Sequence, residues 1–231
     1  MPRTLTRAEK PKKSADAPSA SPRTVAELLE QLDGIPATRI RLDPFPGTAT
    51  EADVLRVLDQ ENVICELIEG TLVAKAMGYA EARLAGMLLT FLNLFLMRRN
   101  LGLAAGPDGT VKLTSGLIRI PDVSFISWEK MPGRKQPKEP IPRLALDLAV
   151  EVLSKSNSRK EMNRKLREYF ASEVAVVWFL EPRKRTARVF TSPTRCTLLT
   201  EADALEGGEI LPGFYLPLHE LFAAVGRGPD E

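Results

Sequence analysis

Two apolar runs in the second half of the chain constrain its fold more than any other feature. They cover Leu144 to Leu153 (LALDLAVEVL) and Val174 to Leu180 (VAVVWFL), and each is typical of a strand that is buried on both faces. The stretch from Asn157 to Phe170 between them has helical periodicity. Alternating strand and helix signals of this kind predict a mixed α/β sheet with helices packed on it.

The other segments supply further elements of such a sheet. CELIEGTLV predicts a hairpin that turns at Glu69-Gly70, and Tyr79 to Arg99 predicts a long helix with an apolar face. Thr48 followed by Glu51 has the spacing of a capping box at the start of an earlier helix. Shorter strands are predicted within 101–113 (two strands), 117–128 (one strand), 187–191 and 196–199.

Composition divides the chain into four parts. Residues 1–23 are rich in Pro, Ser, Ala, Lys and Arg and hold six basic and two acidic residues, so we expect a disordered tail with a charge of +4. Residues 24–47 should form a short helix and a linker, residues 48–222 the folded domain, and residues 223–231 a flexible C-terminus. The whole chain carries only +2, which alone does not argue for nucleic-acid binding.

The scarcity of cysteine and histidine excludes several classes of site. Cys65, Cys196 and His219 are too few for a disulfide framework, and a zinc site would need carboxylate ligands. A Ser-His-Asp enzyme would have to use His219, which lies in the leucine-rich segment LPLHELF and is better explained by packing or exposure.

Two features bear on where the protein works. The N-terminus lacks the apolar run of a signal peptide, and the apolar stretch from Leu84 to Met97 is too short to span a bilayer. Two cysteines without a disulfide framework fit a reducing compartment. We therefore expect a soluble, cytoplasmic protein without a membrane partner.

Two acidic residues occupy unfavourable positions. Asp122 follows a proline inside a strand-like segment, and Glu151 lies near the end of the first apolar run. Burying a lone carboxylate is costly unless it is paired or bound to a cation. Two carboxylates on neighbouring strands would repel each other, and a divalent metal would satisfy both. The alternative is that each carboxylate pairs with a nearby Arg or Lys, or points to solvent at a strand end.

Asp147 is an equally suitable acid by type and differs only in position. Because side chains alternate along a strand, Asp147, Ala149 and Glu151 share one face. Asp147 lies two pleats before Glu151 and further from the C-terminal end of the strand, which argues against a role in the same site.

The helix after the Glu151 strand brings further charges to this region. A short connection would fold it back onto the sheet, so Lys165 can approach the carboxylates and stabilise charge that develops on a phosphate. Glu161 shares a helical face with Lys165, but a capping box with Ser158 or a surface ion pair with Lys165 explains it without catalysis. The run 155–167 holds six basic residues and one acid, which suits either a phosphate backbone or a solvated helix face. The candidate backbone contacts are Lys155, Arg159, Lys160 and Arg164.

Five segments occur in order along the chain: ELIEG, PDVSF, VEVLSKSNSRKEMNRKLREYF, VVWFLEP and LPGFYLPLHELF. In this order they resemble the bacterial Uma-two family, a family of restriction-endonuclease-like proteins within the PD-(D/E)XK nuclease superfamily. The resemblance covers roughly residues 48–222. It implies a restriction-endonuclease-like α/β core in which a central mixed β-sheet is flanked by helices, in the order helix, strand, strand, strand, helix, strand.

The resemblance also implies roles for individual residues. Asp122 in PDVSF would be the metal-binding aspartate, and Glu151 in VEVLS would be the second acid, with the Val152 carbonyl as a further ligand. The superfamily's lysine normally lies two residues after that acid, where this chain has Leu153. The matching lysine here is Lys165, in the pattern K-x-x-x-Y.

Three more acids are implied as accessory residues. Glu161 stands where relatives often have aspartate. Glu81 stands near the start of the long helix, where relatives often have histidine, and it could bind metal or serve as an ordinary helix N-terminal acid. Glu66 and Glu69 in ELIEG match the family pattern, and Glu69-Gly70 is assigned to the turn.

These observations predict an endonuclease that hydrolyses DNA phosphodiester bonds and depends on Mg²⁺, with Mn²⁺ as an alternative ion. Asp122, Glu151 and Lys165 would be its catalytic residues, and Asp122 and Glu151 its metal ligands.

Two other functions stay open at this stage. One is a nuclease-fold protein that binds nucleic acid without cutting it, because Leu153 and Glu81 depart from the family pattern. The other is an interaction module in which Leu94, Phe95 and their neighbours form a homodimer surface.

Overall fold

The computed structural model of the protein describes residues 22–76 and 78–226. The predicted tail therefore lies outside the described residues up to residue 21, as do residues 227–231 of the predicted C-terminal segment. The helices are α1 (Val25–Gln31), α2 (Glu51–Glu61), α3 (Tyr79–Arg99), α4 (Arg159–Ala171) and α5 (Leu218–Gly226). The strands are β1 (Cys65–Ile68), β2 (Thr71–Ala74), β3 (Gly102–Ala105), β4 (Val111–Thr114), β5 (Leu117–Arg119), β6 (Val123–Ser127), β7 (Leu148–Val152), β8 (Val176–Glu181), β9 (Thr186–Phe190), β10 (Cys196–Leu199), β11 (Ala204–Glu206) and β12 (Tyr215–Pro217).

A six-stranded sheet in the order β10-β9-β8-β7-β6-β3 forms the centre of the molecule. Strands β7 and β8 are parallel and are connected by α4, whereas the other neighbours are antiparallel. The elements α3, β3, β6, β7, α4 and β8 follow the predicted order of helix, three strands, helix and strand. The predicted mixed α/β core is therefore confirmed. Between β3 and β6 the chain leaves this sheet to form β4 and β5 of a second sheet, β2-β1-β5-β4.

The single strand predicted within 117–128 is wrong, because β5 and β6 belong to different sheets. Pro121 has no N–H to donate to a ladder, and the Ile120 N–H donates to the Glu66 carboxylate at 3.3 Å. The chain changes sheets at this point. As a result, Asp122 lies just before β6 instead of in the middle of a strand.

The capping box predicted from Thr48 and Glu51 is also displaced. The Thr50 N–H donates to Asp53 Oδ2 at 2.9 Å, so the box begins two residues later. Thr48 instead donates its hydroxyl to the Phe45 carbonyl at 2.7 Å, within the turn that precedes the helix.

Two apolar cores lie on opposite faces of the central sheet. Leu148, Val150 and Val152 of β7 pack on the side of α3 and α5, whereas Ala149 faces α4. This alternation follows the pleat of the strand. It directs Glu151 to the α4 side, where the candidate site lies.

By length and composition alone, α3 could cross a bilayer, since the most apolar window of this 21-residue helix has a mean hydropathy of 1.4. The apolar stretch from Leu84 to Met97, which was predicted to be too short to span a bilayer, is only part of this helix. In the structure Leu84, Leu88 and Leu92 are at most 1% exposed and pack in the core that the helix shares with the sheet.

The predicted homodimer surface is only partly exposed. Leu94 is 54% exposed, but Phe95 is half-buried and packs edge-on against Phe214, with ring centroids 5.4 Å apart. Phe95 therefore contributes to the core of the protein itself, and the homodimer stays a prediction.

We predict that Leu88→Ala lowers the free energy of unfolding by about 2–5 kcal/mol, because it leaves a cavity between α3 and the sheet. The matched control is Leu94→Ala on the exposed side of the same helix, which should change it by less than about 0.5 kcal/mol. Urea denaturation followed by circular dichroism measures both. Equal effects of the two substitutions would contradict the packing described for α3.

Candidate active site

Asp122 and Glu151 face each other across neighbouring strands. Val123 of β6 pairs with Val150 of β7 in an antiparallel ladder, and the Asp122 N–H donates to the Val150 carbonyl at 2.9 Å. Extending this register by one residue places Asp122 opposite Glu151, and opposed side chains lie on the same face of a sheet. Both side chains are buried, with exposures of 5% and 4%.

Each of these carboxylates has a lysine partner. Asp122 Oδ1 lies 3.0 Å from Lys75 Nζ, and its Oδ2 accepts the Val152 N–H at 2.7 Å. Glu151 Oε2 accepts from Lys165 Nζ at 2.8 Å, and its Oε1 accepts from the Tyr169 hydroxyl at 2.5 Å. Every oxygen of the pair therefore has a protein donor. Of the arrangements considered from the sequence, the structure therefore shows the one in which each carboxylate pairs with a cationic side chain.

Helix α4 supplies Lys165 because the short connection after β7 folds it back onto the sheet, as predicted. Lys165 and Tyr169 are four residues apart, so they project from the same face of the helix toward Glu151. Lys165 is itself 4% exposed and also lies 3.5 Å from Glu66 Oε1. Its ammonium group therefore contacts acids from both sheets.

A second buried ion pair stands behind Lys165. Glu66 Oε2 accepts from Arg119 Nη1 at 2.7 Å, and both side chains are at most 1% exposed. Arg119 also forms a short hydrogen bond with Glu168 of α4. Glu66 thus contacts two cations, Lys165 and Arg119, from behind the candidate site.

Burial and neighbouring charges both shift the pKa values of Glu151, Lys165 and Glu66. Burial raises the pKa of Glu151, and the nearby Asp122 charge raises it further, although Lys165 opposes both. Burial alone would lower the pKa of Lys165, but the charges of Glu151 and Glu66 outweigh it, so the pKa is raised. Burial alone would raise the pKa of Glu66, but Lys165 and Arg119 lower it to about 2. Lys165 is therefore charged at neutral pH.

Four of the predicted residues line one small cavity of about 20 Å³, which is room for about one water molecule, whereas the predicted accessory acids Glu66 and Glu161 do not line it. The predicted residues Asp122, Glu151, Lys165 and Glu81 all line it. Its other lining residues are Arg39, Lys75, Ala76, Val152, Ser154 and Asn157. Two larger cavities, of about 530 and 440 Å³, lie under the loop after β6 and contain none of the predicted catalytic residues.

Glu161 does not have the surface role that its sequence position suggested. Its N–H is capped by the Ser158 hydroxyl at 3.0 Å, but its carboxylate is 1% exposed and accepts from Arg39 Nη1 at 2.7 Å. The predicted surface ion pair between Glu161 and Lys165 is wrong, because both are buried and Lys165 pairs with Glu151. Glu161 is therefore linked to the cavity through Arg39, which lines it.

The predicted phosphate-backbone contacts divide into two groups. Lys155, Arg159 and Lys160 are exposed at the start of α4. Arg164 is 7% exposed and donates to the Gln31 carbonyl and to Glu69. Its guanidinium connects α4 to α1 and to the β1–β2 turn, so it is not presented to a ligand. Helical periodicity alone could not tell which of these basic residues faces inward.

Asp147 lies at the opposite end of β7 from Glu151. Its Oδ2 accepts the Ser127 N–H at 2.7 Å, and its Oδ1 lies 3.1 Å from Lys130 Nζ. Asp147 therefore lies away from the candidate site, as its position in the strand predicted.

Sequence reasoning missed three cations of this region, Lys75, Arg39 and Arg119. Arg119 could have been found by the signal that found Asp122, because it is a charge in an otherwise apolar strand segment (LIRIPD). Lys75 follows the hairpin and Arg39 lies in the predicted linker, and neither position carries a local signal.

The donor chemistry of the cavity fits a hard divalent cation. Within residues 22–76 and 78–226, no group of three or more His, Cys, Asp or Glu side chains is arranged around a metal position. Mg²⁺, however, keeps several waters and is commonly held by one or two carboxylates. Asp122 and Glu151 supply two such carboxylates, and Glu81 is a third carboxylate at the same cavity.

Comparison with known proteins agrees with the predicted family and with the fold. The profile of the Uma2 (Uma-two) family, described as "Putative restriction endonuclease", matches residues 51–219, so the chain belongs to this family. Among solved structures, it resembles one titled as a putative nuclease of DUF820 from Anabaena variabilis ATCC 29413. That chain is 17% identical, with a TM-score of 0.62 and coverage of 71% of this chain and 92% of the other. No curated protein matches the sequence significantly.

We predict that Glu66 makes the protein sensitive to acid. Its pKa falls from an ordinary 4.5 to about 2 on folding, so its contribution is complete above pH 4.5 and is lost as the pH falls toward 2. Its size is on the order of 3 kcal/mol. The free energy of unfolding, measured with urea between pH 5 and pH 2.5, should therefore fall less steeply for Glu66→Gln than for the wild type. Glu209→Gln, at an exposed position, is the control, and parallel curves for all three proteins would refute the assignment.

Proposed function

We propose that the protein is an endonuclease that hydrolyses DNA phosphodiester bonds and depends on Mg²⁺ or Mn²⁺. The observation that carries the proposal is the convergence of Asp122, Glu151 and Lys165 from three separate elements on one cavity. Membership of the Uma2 family supports a nuclease function for that cavity.

Each residue of the proposed site has a distinct task. Asp122 and Glu151 would hold the metal ion, which when bound supplies a polarised phosphate and a more acidic water. Lys165 remains charged because two carboxylates surround it, so its Nζ can stabilise negative charge on the phosphate. Tyr169 donates to Glu151 Oε1 and fixes the orientation of that carboxylate.

DNA would approach from the side where α4 begins. Ser154 and Asn157 line the cavity and precede the helix, and the exposed side chains of Lys155, Arg159 and Lys160 lie in the same stretch. Basic side chains there would neutralise backbone phosphates next to the scissile one. Arg164 does not belong to this surface because it is buried.

A second candidate function is DNA binding without cleavage. Every oxygen of Asp122 and Glu151 already has a protein donor, and the cavity has a volume of only about 20 Å³. A protein whose lysines permanently neutralise its acids would keep the fold and the basic surface and would have no hydrolytic activity.

We predict that Asp122→Asn, Glu151→Gln and Lys165→Met each lower the rate of Mg²⁺-dependent plasmid nicking by at least about 10²-fold. Asp147→Asn is the matched control, because Asp147 is also a buried acid with a lysine partner and a strand N–H donor. It should retain the wild-type rate. Circular dichroism and thermal unfolding verify that each variant folds. Undiminished nicking by Asp122→Asn would remove the proposed site.

We predict that the wild-type protein binds Mn²⁺ or Mg²⁺ in isothermal titration calorimetry and that Asp122→Asn and Glu151→Gln lose this binding, because each removes a charged oxygen ligand. Asp147→Asn should bind the ion as the wild type does. DNA binding without such metal binding would favour the second candidate function.

A further inference from the structure

We propose that Arg39 binds the substrate at this site, by donating hydrogen bonds to a non-bridging oxygen of a DNA phosphate at the mouth of the cavity. Arg39 lies outside the family match, which begins at residue 51. The inference rests on the proposed function, which supplies the phosphodiester.

The backbone around Arg39 is fixed along the edge of the small sheet. Ile40 forms an antiparallel bridge with Val73 of β2, and the Arg41 N–H donates to the Leu72 carbonyl at 2.9 Å. The segment that sequence composition assigned to a linker therefore adds an edge to this sheet. Arg39 projects from it at a defined position.

The side chain of Arg39 reaches the cavity with part of its hydrogen-bonding capacity unused. Its Nε donates to the Ala74 carbonyl at 2.9 Å and its Nη1 donates to Glu161 Oε1 at 2.7 Å. Within residues 22–76 and 78–226, its Nη2 makes no hydrogen bond. Arg39 lines the cavity together with Asp122, Glu151 and Lys165.

The two lysines that line the cavity are more fully engaged. Lys75 Nζ lies 3.0 Å from Asp122 Oδ1 and donates to the carbonyls of Ile120 at 2.7 Å and Pro107 at 3.0 Å, so acceptors surround its three protons. Lys165 contacts Glu151 and Glu66. Of the basic side chains lining this cavity, Arg39 therefore has the most donors left for an incoming anion.

Glu161 holds Arg39 in a way that leaves this capacity free. Only its Oε1 accepts from the guanidinium, and its Oε2 is buried without a hydrogen-bond partner in the described part of the chain. A two-bond, fork-to-fork pair would have occupied a second edge of the guanidinium. The single bond makes Glu161 a positioning residue, and the planar fork of Arg39 suits a phosphate.

The test measures binding of a fluorescent DNA duplex by anisotropy, without divalent ions, over a range of salt concentrations. Arg39→Gln/Glu161→Gln is compared with Glu161→Gln alone, so that no buried acid loses its partner and the difference reports Arg39. We expect roughly tenfold weaker binding. The slope of log affinity against log salt should also decrease by about 0.9, the value for one phosphate contact. Arg41→Gln, two residues away and paired with Glu61 at the surface, should leave the slope unchanged.

Arg39→Lys provides a second test that keeps the charge beside Glu161. Binding at constant salt should weaken because lysine lacks the planar fork, whereas the salt slope should stay near that of the wild type. A purely structural Arg39 would shift the melting temperature without changing DNA affinity, and that result in either variant would overturn the inference.

The nicking assay separates this inference from the proposed function. Wild-type protein that nicks DNA, together with a double variant that binds DNA as tightly as Glu161→Gln, would refute the role of Arg39 alone. Arg39-dependent binding by a wild-type protein that does not nick would refute hydrolysis and leave the phosphate contact standing. Wild-type protein that does not bind DNA would overturn both.

Discussion

The ammonium group of Lys165 is the point on which the rest of the site depends. It lies 2.8 Å from Glu151 Oε2 in the central sheet and 3.5 Å from Glu66 Oε1 in the small sheet, while its own backbone belongs to α4. Three separate parts of the molecule therefore meet at one charge. Because these side chains are buried, truncating Lys165 leaves Glu151 without a cationic partner, which is far more costly than losing a surface ion pair.

The ion pairs of the candidate site consequently also join the two sheets and α4. Arg119 of the small sheet forms ion pairs with Glu66 of the same sheet and with Glu168 of α4. Ion pairs as well as apolar contacts therefore join the small sheet to α4. Leu153, two residues after Glu151, packs instead against the apolar cluster that α4 shares with the central sheet. Because Lys165 belongs to α4, the geometry of the carboxylates depends on how this helix packs on the sheet.

The sequence predicted the acids of the site and only some of its cations, and the difference has a physical reason. Asp122 and Glu151 stood out because a carboxylate in an apolar segment violates a local pattern, and Lys165 followed from a short connection between strand and helix. Arg39 pairs with a residue 122 positions away, and no local pattern reports such a contact. The turn at Glu69-Gly70 could be predicted because its cause is local. Both residues have positive φ, and a side chain at Gly70 would collide with the backbone of Gly47.

A buried aspartate beside a lysine does not by itself indicate an active site. Such a pair occurs at both ends of the β6–β7 ladder. Asp122 and Asp147 each precede a strand, accept the N–H of the neighbouring strand at 2.7 Å and lie about 3 Å from a lysine ammonium. Extended by one residue at each end, the β6–β7 register sets Glu151 opposite Asp122 and the apolar Ile126 opposite Asp147. In both places the aspartate accepts a backbone N–H of the neighbouring strand, and the lysine neutralises the aspartate's charge. Only at the Asp122 end does a second strand carboxylate, Glu151, lie opposite the aspartate, so that two strand acids meet at one cavity there.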